Sequence, residues 1–222
     1  MPTPEELKAP FNSNCFYHIV CKSIDGLPLF DEPKDYWIFL ERFKKFNDGF
    51  LDVWAYCLLF NHAHFIVKVK PTAAIESYIL QLLPENKTKS MNSFLADITN
   101  ESLTDALIER QMNSFLVSYA NYINNKHNRK GGIFQKPFKR IQINGDGHLQ
   151  QAIVYVHANA QKHGILNDFK QYEYSSYHEA GNNYTDSKSM IDFFGGMEKY
   201  IQVHKDQVAY FYSKGWPSSK LE

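Results

Sequence analysis

The run from Leu51 to Lys70 constrains the fold most. It holds two segments rich in β-branched and aromatic residues, Leu51 to Phe60 and His62 to Lys70, which nearly abut around Asn61. That spacing suits a tight turn between antiparallel strands. Upstream, Cys15 to Cys21 has strand composition, and Gly26-Leu27-Pro28 marks the loop after it. Between these strands, Asp31 can cap a helix with Pro33 in its first turn. Tyr36, Phe39, Leu40 and Phe43 recur at helical spacing as far as about Phe46.

Pro71 to Thr99 carries the weakest pattern. Ala73 to Leu83 suits a short helix, and the polar stretch from Pro84 reads as an inserted loop. A long helix starts near Thr104, with Met112, Phe115, Leu116, Tyr119, Tyr122 and Ile123 on one stripe, and Gly131-Gly132 lies beyond its end. Ile133 to Ile143 suits a fourth strand interrupted by Pro137, and a helix follows from His148 to about His163. A further helix is expected near Met190 to His204. The order predicts an α+β chain: a ferredoxin-like βαββαβ antiparallel sheet with one more helix. It implies a core domain over 11–165 with an insertion at about 71–103, and a C-terminal tail over 166–222 docking on the same core.

At 222 residues the chain supports one good core. Its 17 Phe and 14 Tyr exclude a wholly disordered protein. The start, Met1 to Lys8, lacks a basic segment followed by an apolar one, and no apolar run approaches the ~20 residues of a membrane span. A soluble, cytoplasmic protein is expected. Cys15, Cys21 and Cys57 form neither an even disulfide set nor a metal-binding pair, so they are read as reduced, small apolar residues. The formal net charge is zero, which counts against a nucleic-acid partner unless cations are locally concentrated. They are between Asn121 and Arg140: Lys126, Arg129, Lys130, Lys136, Lys139 and Arg140, with Tyr122, Phe134 and Phe138 interleaved and no Asp or Glu. That is either a solvated charged loop or a nucleic-acid path.

The chemistry-bearing residues lie in two places. In the third strand His62 and His64 stand two residues apart and share one face, while Ala63, Phe65, Val67 and Val69 line the other. Two imidazoles on a rigid strand suit a divalent metal with open positions, although such a pair also occurs at ordinary sheet surfaces. In the helix before His163, Leu149, Ala152, Ile153, Val156 and Ala160 form the apolar stripe, and Tyr155 and Asn159 fall one turn apart beside it. Tyr155 can serve as a nucleophile and Asn159 as an oxygen ligand if this helix packs over the histidine face. Otherwise they are a boundary aromatic and a solvated amide. His127, His148, His157 and His163 have no partner spacing and are read as solvated.

The segment Tyr56-Cys57-Leu58-Leu59-Phe60-Asn61-His62-Ala63-His64-Phe65-Ile66-Val67 resembles the paired-histidine (HUH) motif of the single-tyrosine transposases of bacterial insertion sequences. The pattern is most similar to the REP-associated tyrosine transposases. Gly132 to Arg140 resembles the family's glycine, aromatic and basic strand, Tyr155-Val156-His157-Ala158-Asn159 its tyrosine helix, and Tyr174-Ser175-Ser176-Tyr177 its closing motif. The resemblance spans about 15 to 180. It departs from the pattern in the small Ala63, the long insertion and the zero net charge.

The resemblance implies a metal-dependent endonuclease and strand transferase that cuts and rejoins single-stranded or hairpin DNA. His62, His64 and Asn159 would hold Mg2+ or Mn2+, and Tyr155 would attack to give a 5′-phosphotyrosine and a free 3′-hydroxyl. A homodimer is compatible with it. The alternatives are a relaxase or replication-initiator nuclease of the same histidine type, a hairpin-DNA binder without turnover, and a plain metallohydrolase that would not need Tyr155.

Overall fold

The structure, a computed structural model, describes residues 7–178 and 184–216. Most of the chain start read above, and the end of the tail beyond Trp216, lie outside them. In chain order the main elements are β1 (Phe16–Lys22), α1 (Pro33–Asn47), β2 (Leu51–Leu59), β3 (His62–Val69), α2 (Thr72–Gln81), α3 (Lys89–Ala96) and α4 (Glu101–Lys126). β4 (Lys139–Ile143), α5 (Asp146–His157), α6 (Asn159–Lys162), α7 (Ser187–Phe194) and α8 (Met197–Lys214) follow. The strands form one sheet in the order β2-β3-β1-β4, antiparallel throughout. This is the ferredoxin-like arrangement that the sequence pattern predicts.

Strand alternation gives this sheet two unlike faces. Tyr17, Ile19 and Cys21 of β1 and Ala63, Phe65, Val67 and Val69 of β3 bury against α1 and α4. Ile66, Cys57 and Leu59 point the other way and join the core formed with α5, α7 and α8. The register places Leu59 opposite His62 and Cys57 opposite His64, so the hairpin turn is Phe60-Asn61 alone. A register shift between Val53 and Ala55 keeps β2 in step with both faces. The free edge of β2 is partly covered: Leu58 N–H donates to the Tyr174 carbonyl, and Tyr56 N–H donates to Ser176 Oγ.

Four expectations change. The polar loop expected after Pro84 contains α3, because Thr88 Oγ1 accepts from Met91 N–H as a cap and Met91 and Phe94 bury against the core. The fourth strand is shorter than Ile133 to Ile143. Only Lys139–Ile143 pairs with β1 in a ladder, while Pro137 lacks the amide a ladder needs and Ile133, Phe134 and Phe138 bury in the first core.

The tyrosine helix is interrupted at Ala158, giving α5 and α6, because Asn159 Nδ2 donates to the Tyr155 carbonyl and competes with the helical ladder. The single helix expected at Met190 to His204 is two, divided at Gly195-Gly196, where both residues have positive φ (79° and 108°). Among the described residues no helix is long and apolar enough to cross a membrane.

Candidate active site

β1 and β3 lie side by side at the centre of the sheet, so the side chains of both that leave the second face converge under α5. From β1 these are His18, Val20 and Lys22, and from β3 His62 and His64. α5 packs over this face, the condition that the histidine pair and the helix tyrosine needed. The Tyr155 ring stands edge-on to His18 and His64, with centroids 6.1 and 6.2 Å away. His62 and His64 are edge-to-face at 5.0 Å. His163, just past α6, lies 5.1 Å from His62.

The hydrogen bonds decide which atoms remain open. His62 Nδ1 lies 2.7 Å from Asn61 Oδ1, an acceptor, so His62 carries its proton there and keeps a lone pair on Nε2. His64 Nδ1 lies 2.9 Å from His18 Nε2, and His64 Nε2 is buried without a partner. Asn159 Nδ2 is used by the Tyr155 carbonyl, and Asn159 Oδ1 is buried without a partner. Unsatisfied buried polar atoms are uncommon and costly. An imidazole nitrogen and an amide oxygen left open, together with His62 Nε2, are donors of the kind a divalent metal would take. Among the described residues no group of three His, Cys, Asp or Glu side chains is assembled for a metal, so the third protein donor here would be an amide.

Burial keeps these rings neutral. It lowers His62 to about 3, with the charges of His163, Lys22 and Lys162 adding to the effect, and lowers His64 well below the usual imidazole value. Burial also raises the Tyr155 phenol, an effect that the Asn159 side chain partly offsets. Tyr155 is wholly covered. Lys162 lies across it, with Nζ 2.8 Å from the phenol oxygen and 4.8 Å from the ring centre. Burial lowers the Lys162 amine to about 8.

Lys162 carries a signal the sequence reading passed over: it is seven residues after Tyr155, two helical turns along the same flank. Lys22 was missed too. It stands opposite His62 in the register, while Lys139 stands opposite Val20 on the same face. Lys22, Lys139 and Lys162 therefore put positive charge around the histidines.

The expected basic patch divides. Lys126 is committed to carboxylates, 2.7 Å from both Glu32 and the buried Asp35. Arg140 is itself buried; it pairs with Asp105 (3.2 Å) and Glu109 (3.1 Å) and lies over the rings of Phe11 and Phe138. Both therefore hold the fold together. Lys130 and Lys136 are exposed, and Arg129 and Lys139 half-exposed. Of the spare histidines, His127 and His163 are exposed, in line with the solvated reading, whereas His148 is half-buried and His157 is not solvated at all. His127 pairs with Asp31 at 2.6 Å, and His148 accepts from Asn144 N–H. His157 is fully buried between His204 and Ser176, 2.9 Å from each.

No protein-family model matches the chain, and no curated protein matches it. Among solved structures, a REP-associated tyrosine transposase determined bound to a REP hairpin is similar, with a TM-score of 0.50 and 13% identity. The likeness covers 76% of this chain and 80% of that one. At this identity the likeness is one of fold.

Proposed function

We propose that this chain is a metal-dependent, single-tyrosine DNA nuclease and strand-joining enzyme acting on single-stranded or hairpin DNA. The observation that carries the reading is the packing of α5 over the histidine face, which sets Tyr155 against His64 and leaves His64 Nε2 and Asn159 Oδ1 as buried open donors. Fold likeness to a protein solved on a REP hairpin agrees with it.

A Mg2+ or Mn2+ ion held by His62, His64 and Asn159 would supply Lewis-acid neutralisation of a phosphodiester's anionic oxygens. The chain's own residues supply the rest. Lys22, Lys139, Lys130 and Lys136 hold the strand by its phosphates. Because Tyr155 is covered, an incoming phosphate opens the packing around its ring while Lys162 Nζ keeps its place at the phenol oxygen. Lys162 Nζ, as the neutral amine, takes the phenolic proton as Tyr155 Oη bonds to phosphorus and the P–O3′ bond breaks, and the departing 3′ oxygen takes a proton from water. The 5′ end is left on Tyr155. Attack by another 3′-hydroxyl reverses the step and rejoins the strand.

Full burial of Tyr155 favours a second reading, a hairpin-DNA binder without turnover. One experiment separates them: end-labelled single-stranded hairpins from the flanks of the gene are incubated with the protein and Mn2+, with Tyr155→Phe alongside. A denaturation-resistant adduct through the DNA 5′ phosphate, absent from Tyr155→Phe, supports the nuclease. Hairpin binding with no adduct supports the binder.

A further inference from the structure

His18 has no place in the motif and stands on a different strand, yet it makes the closest polar contact to His64. Its ring lies edge to edge with that of His64, nearly coplanar, at 5.1 Å between centroids and 15° between planes, with Nε2 2.9 Å from His64 Nδ1. Both side chains are about 1% exposed. Two facing imidazole nitrogens at this distance share one proton, so one ring donates and the other accepts. The choice decides what His64 offers on its far side. If His64 donates from Nδ1, its Nε2 is a lone pair; if His18 donates, His64 Nε2 carries a proton and cannot coordinate anything.

The same hairpin shows how the first arrangement is made. His62 donates from Nδ1 to Asn61 Oδ1 and keeps Nε2 open. An equivalent acceptor behind His64 would make the two rings alike. The pair has no evident value as packing alone: joined to each other, the two histidines still leave His18 Nδ1 and His64 Nε2 buried without partners, where apolar side chains would leave none.

We infer that His18 is a positioning residue: its Nε2 accepts the Nδ1 proton of His64, which holds that ring in place and turns its Nε2 into a metal donor. The inference rests on the metal site of the proposed function.

The test uses the full chain and Mn2+ alone, with free Mn2+ followed by electron paramagnetic resonance. His18→Phe fills the space but cannot accept, whereas the amide oxygen of His18→Gln can. His18→Phe is expected to weaken Mn2+ binding roughly 10- to 100-fold, and His18→Gln to recover most of it, with both variants melting cooperatively. Independently, nitrogen-15 NMR of the histidine rings in the metal-free parent is expected to place the His64 proton on Nδ1. This second measurement decides the matter if His18→Phe does not fold. A folded His18→Phe that binds Mn2+ like the parent, or a His64 proton on Nε2, overturns the role of His18 and leaves the metal site standing. A parent that binds no Mn2+ overturns both.

Discussion

Lys162 Nζ sits 2.8 Å from the phenol oxygen of Tyr155, and burial moves the proton affinities of the two groups apart, so that a neutral phenol faces an amine that is neutral above about pH 8. The phenol becomes harder to ionise and the amine easier to neutralise, to about 8. A phenol alone, with a reference pKa of ~10, is a poor nucleophile at neutral pH. A half-buried amine at hydrogen-bond distance supplies the missing acceptor.

Replacing Lys162 by Met should therefore slow adduct formation by about 100-fold while leaving hairpin affinity nearly unchanged. The pH dependence carries the sign. Above about pH 8 the amine is neutral and accepts the proton, and below it the ammonium cannot. The single-turnover rate of the parent should rise with pH through that region, and the rise should vanish in Lys162→Met. A rising limb of the same midpoint in the variant would assign it to another group.

The metal reading predicts a graded loss. EDTA should abolish the adduct, and His62→Ala, at a half-buried position, should raise the Mn2+ concentration needed by about 10- to 100-fold. Hairpin binding measured without metal should change little. Adduct formed by the parent in EDTA at its full rate would exclude a role for the ion.

The basic segment was legible as a charge run, but its division was not. Lys126 meets Asp35 across 91 positions of sequence, in a network where Tyr122 donates to the same carboxylate. Truncating it strips an ion-pair partner from a buried acid. Lys126→Ala should cost about 2 kcal/mol of stability, read by urea unfolding. Lys130→Ala and Lys136→Ala should leave stability within about 0.5 kcal/mol and weaken hairpin binding, each reducing its salt dependence by roughly one counterion. Equal effects of all three on the salt slope would refute this division.

What the sequence made legible follows from local periodicity. A period of two put His62 and His64 on one face, and a spacing of four put Tyr155 beside Asn159, because both rules hold within a single element. His18 obeyed the same period of two on β1, but its pairing with His64 depends on β1 lying next to β3, a non-local fact. His157 looked solvated for the same reason, since its partner His204 is 47 residues further on. The two C-terminal helices, by contrast, were signalled locally by Gly195-Gly196.

His204 gives the last prediction. It is buried between α5 and α8, facing His157 through Nε2 and the Tyr200 carbonyl through Nδ1, with the Tyr177, Tyr200, Phe169 and Phe194 rings around it. Burial lowers it from 6.5 to about 4, against a smaller opposing effect of that carbonyl. Between those two values the unfolded chain takes up a proton that the folded chain refuses, so stability falls as pH drops from about 6.5 towards about 4. One such group contributes at most roughly 1.4 kcal/mol per pH unit. His204→Gln keeps an amide facing His157 and cannot titrate. Urea unfolding at pH 7, 6 and 5 should therefore show a shallower loss of stability in His204→Gln than in the parent, by close to one proton. Identical slopes would mean that His204 charges within the fold and that the junction of α8 with α5 opens to water in acid.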